Sequence, residues 1–213
     1  MKRNLIWGSI LLGAFVCWTA AVCMVDVQPA GPCGSSVGFA TINTYFHDLI
    51  GVHLWLYDLT DRLSLIPIVL VVGFGFLGLG QWIGRRSLWR VDREIHALGA
   101  FYLAVGAIFV FFEVVAINFR PVLIDGALEA SYPSSTIMLV LCVMGSSMPQ
   151  VCQRIGHPVV RRVIFVVGSL FAVLMVMGRL ISGVHWVTDI IGGGLLSGGL
   201  TSLYAGFCAK ISI

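Results

Sequence analysis

Long apolar runs separated by short polar segments dominate this chain from end to end. Five runs, at residues 5–25, 63–83, 97–117, 159–177 and 187–208, are long enough or nearly so for a helix that crosses a bilayer, which takes about 20 residues. A sixth run, residues 134–148, is shorter and lies between Pro133 and Pro149. We count it as a span because an odd number of spans would scatter the basic residues over both membrane faces.

The longest connection, residues 26–62, separates the first two runs. Within it, residues 37–56 repeat apolar side chains at an approximately helical period and leave one side polar. This pattern predicts one amphipathic helix that lies on the membrane surface or caps the bundle. The predicted fold class is therefore all-α: a polytopic membrane protein with a six-transmembrane-helix bundle, an amphipathic helix in the first outer loop, and a single domain over residues 1–213.

Composition agrees with a membrane protein and excludes a soluble globular one. Hydrophobic residues make up 58% of the chain and charged residues 11%, with a mean hydropathy of +0.97. Six spans with both termini on one side would gather ten of the thirteen basic residues on that face. These ten are Lys2, Arg3, Arg85, Arg86, Arg90, Arg93, Arg154, Arg161, Arg162 and Lys210.

The positive-inside rule makes the basic face cytoplasmic, so both termini are expected in the cytoplasm. We expect a multi-pass protein of a bacterial-type cytoplasmic (inner) membrane. The net charge of +3 then reflects topology and indicates no nucleic-acid partner. The six cysteines show no spacing typical of disulfides or metal ligands, and we expect neither a metal nor an organic cofactor.

Candidate chemistry is concentrated near the C-terminus, where Arg179, His185 and Asp189 interrupt an apolar segment. On a helix, a histidine four residues before an aspartate faces it across one turn, so the carboxylate can fix the tautomer of the ring. Arginine adds a planar fork for phosphate-like oxygens. A histidine and an aspartate in a membrane helix can also simply satisfy each other as packing contacts, but the added arginine favours a functional site.

Two further polar segments fall on the same predicted outer side. One contains Arg120 followed by proline, and the other runs from Ser131 through Ser134 and Ser135 to Thr136. In the second, a proline and two serines open a helix, and the free amides and positive dipole end there can bind an anion. If the three outer segments meet, two guanidinium groups, a helix N-terminus and an Asp-oriented imidazole surround one pocket suited to a phosphoryl group.

The order and spacing of these residues resembles the type-2 phosphatidic acid phosphatase superfamily, which also includes the vanadium haloperoxidases. The family pattern is Lys-x6-Arg-Pro, then Pro-Ser-Gly-His, then Ser-Arg-x5-His-x3-Asp. The third motif matches at Arg179, His185 and Asp189, with Gly178 in place of the serine. The resemblance covers residues 113–193, and the first half of the chain agrees only in having two spans and an outer loop.

The resemblance implies a role for each matching residue. His185 would be the nucleophile that forms a phosphohistidine, with Asp189 orienting it. Arg120 and Arg179 would bind the phosphate oxygens and stabilise the charge that spreads over them during transfer. Ser134, Ser135 and neighbouring backbone amides would complete the phosphate site.

Two positions depart from the family pattern. Glu113 stands where the family has lysine, two turns before Arg120 on the same predicted helix face, and we expect it to pair with Arg120 or Arg179. Thr136 stands where the family has the histidine that protonates the leaving group. General acid catalysis contributes about 10²- to 10⁴-fold, so a chain without it should be slower.

Three explanations fit Thr136. The chain is a natural or deliberate inactive form of an active phosphatase, its acid is supplied by Glu113 or a water molecule, or it is a pseudoenzyme that only binds lipid phosphate. The first is favoured because Arg120, Arg179, His185 and Asp189 are all retained.

The sequence therefore predicts a membrane phosphatase that acts at the extracytoplasmic face on a lipid phosphate or diphosphate, such as a polyprenyl diphosphate, phosphatidic acid or phosphatidylglycerophosphate. The alternative is a non-catalytic lipid-phosphate-binding or transport protein on the same bundle. A channel or ion-coupled transporter would instead place charged residues near the bilayer midplane.

Overall fold

A computed structural model describes residues 1–211, and that part of the chain folds into eight α-helices. They are α1 Lys2–Met24, α2 Ala40–Ile50, α3 Leu54–Leu63, α4 Leu65–Arg85, α5 Arg93–Val114, α6 Ser135–Arg154, α7 Pro158–Ile181 and α8 Val187–Ile211. Six helical stretches of the described chain are long and apolar enough to cross a membrane, and α3 with α4 forms the second of them. The predicted all-α, six-span membrane architecture is confirmed.

The centre of the bundle is α6, which packs against α7 on one side and α8 on the other. Buried side chains occupy most of its length, and they include Ser146, Ser147 and Gln150. A helix enclosed by other helices needs less hydrophobicity than one that faces lipid, because its polar groups find partners within the protein. This position explains why α6 appeared short and weakly apolar in the sequence.

The predicted end of this span before Pro149 is wrong, since α6 continues through Pro149 to Arg154. Proline removes one amide donor, and membrane helices tolerate the loss where neighbouring groups satisfy the freed carbonyl. The turn after Pro149 is held by Arg154, whose Nη1 donates hydrogen bonds to the backbone oxygen and side-chain oxygen of Gln150, at 2.8 and 2.7 Å.

Close helix contact also joins α8 to α1. A Cβ atom added at Gly199 would lie 2.7 Å from Cδ2 of Leu12, and one at Gly206 would lie 2.7 Å from Cδ2 of Leu5. Small residues let two helices approach this closely in a membrane, where packing rather than water exclusion drives association. The pairing of the first and last spans closes the bundle.

The first outer loop contains two helices, α2 and α3: the predicted amphipathic helix is present as α2, but its predicted extent over residues 37–56 is wrong. Gly51 has a φ of 74° and ends α2, and α3 begins three residues later. The reason is tertiary: a Cβ added at Gly183 would lie 2.0 Å from the backbone oxygen of Gly51. The chain breaks the helix there to pack backbone against backbone with the α7–α8 connection.

Hydrogen bonds join the connections at one end of the bundle. The amide of Gly38 donates to Oδ1 of Asn118 at 3.2 Å, and the amide of His53 donates to the oxygen of Ser182 at 2.9 Å. The first outer loop, the α5–α6 connection and the α7–α8 connection therefore meet on one side. The ten basic residues named above belong to the ends and connections of helices on the opposite side.

This topology predicts the accessibility of introduced cysteines. In intact cells, Ala127→Cys in the α5–α6 connection should react with a membrane-impermeant maleimide, whereas Gln153→Cys near the end of α6 should react only after permeabilisation. Mass spectrometry of the modified peptides separates these sites from the native cysteines. Labelling with the opposite pattern would contradict the assignment of the outer side.

The approach of Gly183 to Gly51 predicts a stability effect. Gly183 has a φ of 67° and no room for a side chain. Gly183→Ala should therefore lower the free energy of unfolding of the purified protein by about 1–3 kcal/mol. Gly73→Ala is the matched control, because a Cβ there meets nothing within 4 Å. Equal thermal denaturation midpoints for the two variants in the same detergent would refute this packing.

Candidate active site

Arg179, His185 and Asp189 lie around the short connection between α7 and α8. Arg179 is in the last turn of α7 and Asp189 in the first turn of α8. His185 precedes α8, so the expectation that histidine and aspartate share one helix is wrong. Oδ2 of Asp189 accepts a hydrogen bond from the amide of Trp186 at 2.9 Å, which is the backward contact of a capping box at the start of a helix.

His185 is 5% exposed, and its ring lies between a carboxylate and a guanidinium group. Its Nδ1 is 3.7 Å from Oδ2 of Asp189, and its Nε2 is 3.2 Å from Nη1 of Arg120. The first distance exceeds that of a hydrogen bond, so the expected direct bond between carboxylate and ring is absent. Because a guanidinium can only donate, Nε2 is the acceptor, and the ring proton belongs on Nδ1, the side that faces Asp189.

Arg120 is held in place by the α5–α6 connection. Its amide donates to the backbone oxygen of Glu129 at 3.0 Å, and its Nε forms an ion pair with Oε2 of Glu129 at 2.9 Å. Phe119 and Ala130 form an isolated antiparallel bridge beside this pair, and Nε1 of Trp186 donates to the oxygen of Phe119 at 2.7 Å. The loop thus supplies the counter-ion of Arg120 and directs Nη1 of the guanidinium group at His185.

Arg179 is the largest of the fully buried side chains, with 1% of its surface exposed. Nη2 donates to Oδ1 of Asp61 at 2.8 Å, whereas the buried Nε and Nη1 have no hydrogen-bond partner within the described protein. Buried donors are almost always satisfied. Two unpaired donor nitrogens on a buried cation therefore mark a place suited to an oxyanion.

The N-terminus of α6 lies beside this cluster. Ser134 is fully buried, and its amide donates to the backbone oxygen of Asp189 at 3.1 Å. That amide is therefore already paired, while the Ser134 hydroxyl has no partner within the described protein. Ser135 and Thr136 are half-buried in the first turn of α6, where backbone amides have no partner inside the helix.

Glu113 does not have the expected supporting role. It is exposed in the last turn of α5, and no ion pair joins it to either arginine in the described part of the chain. It borders a shallow cleft with Tyr132 and Ser135 instead. Arg120 and Arg179 take their carboxylate partners from Glu129 and Asp61, which are 43% and 60% exposed at their side chains.

Besides Glu129 and Asp61, Tyr57 on α3 was not predicted from the sequence as part of the cluster. The Cζ atoms of Arg179 and Arg120 lie 4.8 and 5.6 Å from the centre of its ring. Tyr57 and Asp61 are one turn apart on α3. This spacing in the sequence indicates only that the two polar side chains share one face of a helix. Nothing in the sequence alone connects them to an arginine more than a hundred residues later.

The electrostatics of the cluster keep the imidazole neutral. Burial lowers the pKa of His185 well below its ordinary value of 6.5, and the positive charges of Arg120 and Arg179 lower it further. A hydrogen bond with the backbone of Ser131 raises this pKa, but its effect is the smallest of these. The ring is therefore uncharged at neutral pH, with the lone pair of Nε2 directed at a guanidinium.

The geometry of this buried cluster is suited to binding an oxyanion. The guanidinium group of Arg120, that of Arg179 with its unpaired donors, a neutral imidazole near a carboxylate, and the first turn of α6 come from separate segments and converge. No grouping of three or more histidine, cysteine or carboxylate side chains that could hold a metal ion occurs in residues 1–211.

Comparison with known proteins yields one informative similarity. No protein-family model matches the chain, and no curated protein matches its sequence. Among solved structures, it matches the first transmembrane PAP2-type phosphatidylglycerolphosphate phosphatase from Bacillus subtilis with a TM-score of 0.62, at 19% identity over 95% of this chain and 96% of the other. The chain therefore has the fold of the PAP2 phosphatases, as the motif resemblance implied.

Proposed function

We propose that this protein is an integral membrane phosphatase that hydrolyses a lipid phosphate or diphosphate through a phosphohistidine at His185. The observation that carries the proposal is the contact of Arg120 with Nε2 of His185 beside the unpaired donors of the buried Arg179. Two cations next to a neutral imidazole form a site in which an anionic group can replace the guanidinium at the nucleophile. The fold, shared with a membrane phosphatase, supports the same conclusion.

The proposed reaction has two steps. A phosphoryl group bound by Arg120 and Arg179 is attacked by Nε2 of His185, so an N–P bond forms while the bond from phosphorus to the leaving oxygen breaks. The leaving alcohol or phosphate takes up a proton. Water then attacks the phosphohistidine, releases inorganic phosphate and restores the imidazole. Asp189 stabilises the positive charge that the ring carries in the intermediate.

A lipid is the proposed substrate class because the site lies at the ends of spans whose outer surfaces are apolar and exposed. A phosphorylated headgroup can reach such a site while its acyl or prenyl chain stays in the bilayer. Polyprenyl diphosphate, phosphatidic acid and phosphatidylglycerophosphate all have this form, and the structural neighbour is a phosphatase of the last of these lipids. We place the site on the extracytoplasmic face of a bacterial inner membrane, with cytoplasmic termini, on the distribution of basic residues.

We infer that turnover by this chain is slow, because Thr136 stands where the family pattern has a proton donor. A threonine hydroxyl cannot serve as a general acid at neutral pH, and the exposed Glu113 makes no ion pair with either arginine in the described structure. Leaving-group protonation in this chain is then left to water or to Glu113, which borders the same cleft as Ser135. A non-catalytic lipid-phosphate-binding or transport protein is the alternative, and it is favoured only by this same position.

Phosphate release from lipid monoesters by the purified protein tests the proposal. Thr136→His should raise kcat by about 10²-fold or more with little change in KM, because a proton donor acts on the transition state while the arginines bind the ground state. His185→Ala should abolish turnover in both backgrounds, since no phosphohistidine can form.

Thr41→His is the matched control, because Thr41 is exposed on α2 in the outer loop. Its rate should equal that of the unaltered chain. Activity that survives His185→Ala would contradict the proposed nucleophile. No turnover by any version, together with retained lipid binding, would establish the non-catalytic alternative.

The lowered pKa of His185 predicts a pH-dependent stability. Below about pH 6.5 the unfolded chain binds a proton at this histidine and the folded chain does not, so stability falls as the pH is lowered toward the folded-state pKa. The loss is roughly 1.4 kcal/mol per pH unit over that range.

Thermal unfolding in detergent at pH 8 and 5.5 measures this effect. The unaltered protein should lose more stability on acidification than His185→Gln does, whereas His96→Gln should behave as the unaltered protein because His96 is exposed. An identical pH response in all three would contradict a buried, neutral His185.

A further inference from the structure

The ring of Tyr57 contacts both arginines of the proposed phosphate site. Its centre is 4.8 Å from Cζ of Arg179 and 5.6 Å from Cζ of Arg120, and both guanidinium groups lie over the ring. Both distances are within the range in which an aromatic face attracts a cation. One aromatic side chain therefore touches two cations that belong to different outer segments.

Helix α3 holds Tyr57 in this place by direct contacts with the end of α7. The amide of His53, just before α3, donates to the oxygen of Ser182 at 2.9 Å. Farther along, Gly178 allows α3 to approach so closely that an added Cβ would lie 2.6 Å from Cγ2 of Thr60. These contacts fix α3 against the same turn of α7 that carries Arg179.

Two guanidinium groups that serve one phosphoryl group repel each other before the anion arrives. In the described chain their ion pairs are with Asp61 and Glu129, each on one edge, at 2.8 and 2.9 Å. The negative face of an aromatic ring offsets part of the remaining repulsion and, unlike a third carboxylate, does not compete with phosphate for the N–H donors. The ring also restricts the orientation of both guanidinium planes, which would otherwise vary because arginine side chains are long and flexible.

We propose that Tyr57 is a positioning residue of the phosphate site, whose ring face orients Arg120 and Arg179 to bind the oxygens of a single phosphoryl group. The inference rests on the proposed phosphatase function and adds the outer helix α3 to its site. Because the contact uses the ring face, the hydroxyl group of Tyr57 is dispensable.

Two substitutions separate the ring from the hydroxyl. Tyr57→Phe keeps the aromatic face, and Tyr57→Leu removes it. Tyr45→Leu is the matched control, because Tyr45 is 64% exposed on α2 and its ring meets only Phe46, edge-on, among the aromatic contacts of the described chain. Inorganic phosphate is the probe, with binding to the full-length detergent-solubilised protein followed by ³¹P NMR, and lipid phosphate hydrolysis is measured in parallel.

Tyr57→Leu should weaken phosphate binding by about tenfold and raise KM in the hydrolysis assay, as expected for the loss of two cation–π contacts in a largely buried site. Tyr57→Phe and Tyr45→Leu should bind phosphate within about twofold of the unaltered protein, because neither change removes a ring face from the arginines. If Tyr57→Leu does not fold, Tyr57→Met supplies the same comparison with a flexible side chain of similar length.

Equal losses in Tyr57→Phe and Tyr57→Leu would overturn the inference, because the hydroxyl would then be the functional group. Unchanged phosphate binding in Tyr57→Leu would also overturn it and would leave the phosphatase proposal standing if hydrolysis is observed. Phosphate binding that depends on the ring, without lipid hydrolysis even when Thr136→His is added, would refute the phosphatase proposal alone. Absence of phosphate binding in the unaltered protein would contradict both.

Discussion

The buried guanidinium group of Arg179 is the constraint on which the candidate-site end of the bundle depends. A cation with 1% of its surface exposed must be neutralised and hydrogen-bonded. Its carboxylate partner, Asp61, comes from α3, so the first outer loop has to fold back over the end of α7. The backbone contact between Gly183 and Gly51 and the bond from His53 to Ser182 serve that docking. The Tyr57 ring completes it and reaches the second arginine.

The same need to neutralise a buried cation explains the contacts that the two arginines make in the site. Each arginine forms an ion pair with an exposed carboxylate at one edge of its guanidinium group. Another nitrogen of Arg120 contacts the His185 ring, and two donor nitrogens of Arg179 are unpaired in the described protein. An anion that enters the cluster gains hydrogen bonds that the protein itself does not make. Asp189 both caps α8 and faces the imidazole, so one carboxylate couples the helix start to the histidine.

Much of this could be predicted from sequence, and the failures share one cause. The hydropathy pattern found six spans because a bilayer demands long apolar helices. The spacing of Arg179, His185 and Asp189 indicated a candidate site because polar residues there are costly without partners. The length of α6 past Pro149, the helix break at Gly51 and the partners of the two arginines all depend on neighbours distant in the chain. In an uninterrupted helix, Glu113 and Arg120 would lie on one face, but the chain after α5 is not helical. Glu129 forms the ion pair with Arg120 instead.

The central claim, that His185 becomes phosphorylated during turnover, is tested most directly by trapping the intermediate. Protein carrying Thr136→His is mixed with a ³²P-labelled lipid phosphate, quenched in alkali, which preserves phosphohistidine, and digested for mass spectrometry. The account predicts radioactivity on the peptide that contains His185 and none when His185→Ala is added. Turnover without a labelled intermediate in the His185 peptide, or label on another residue, would contradict it.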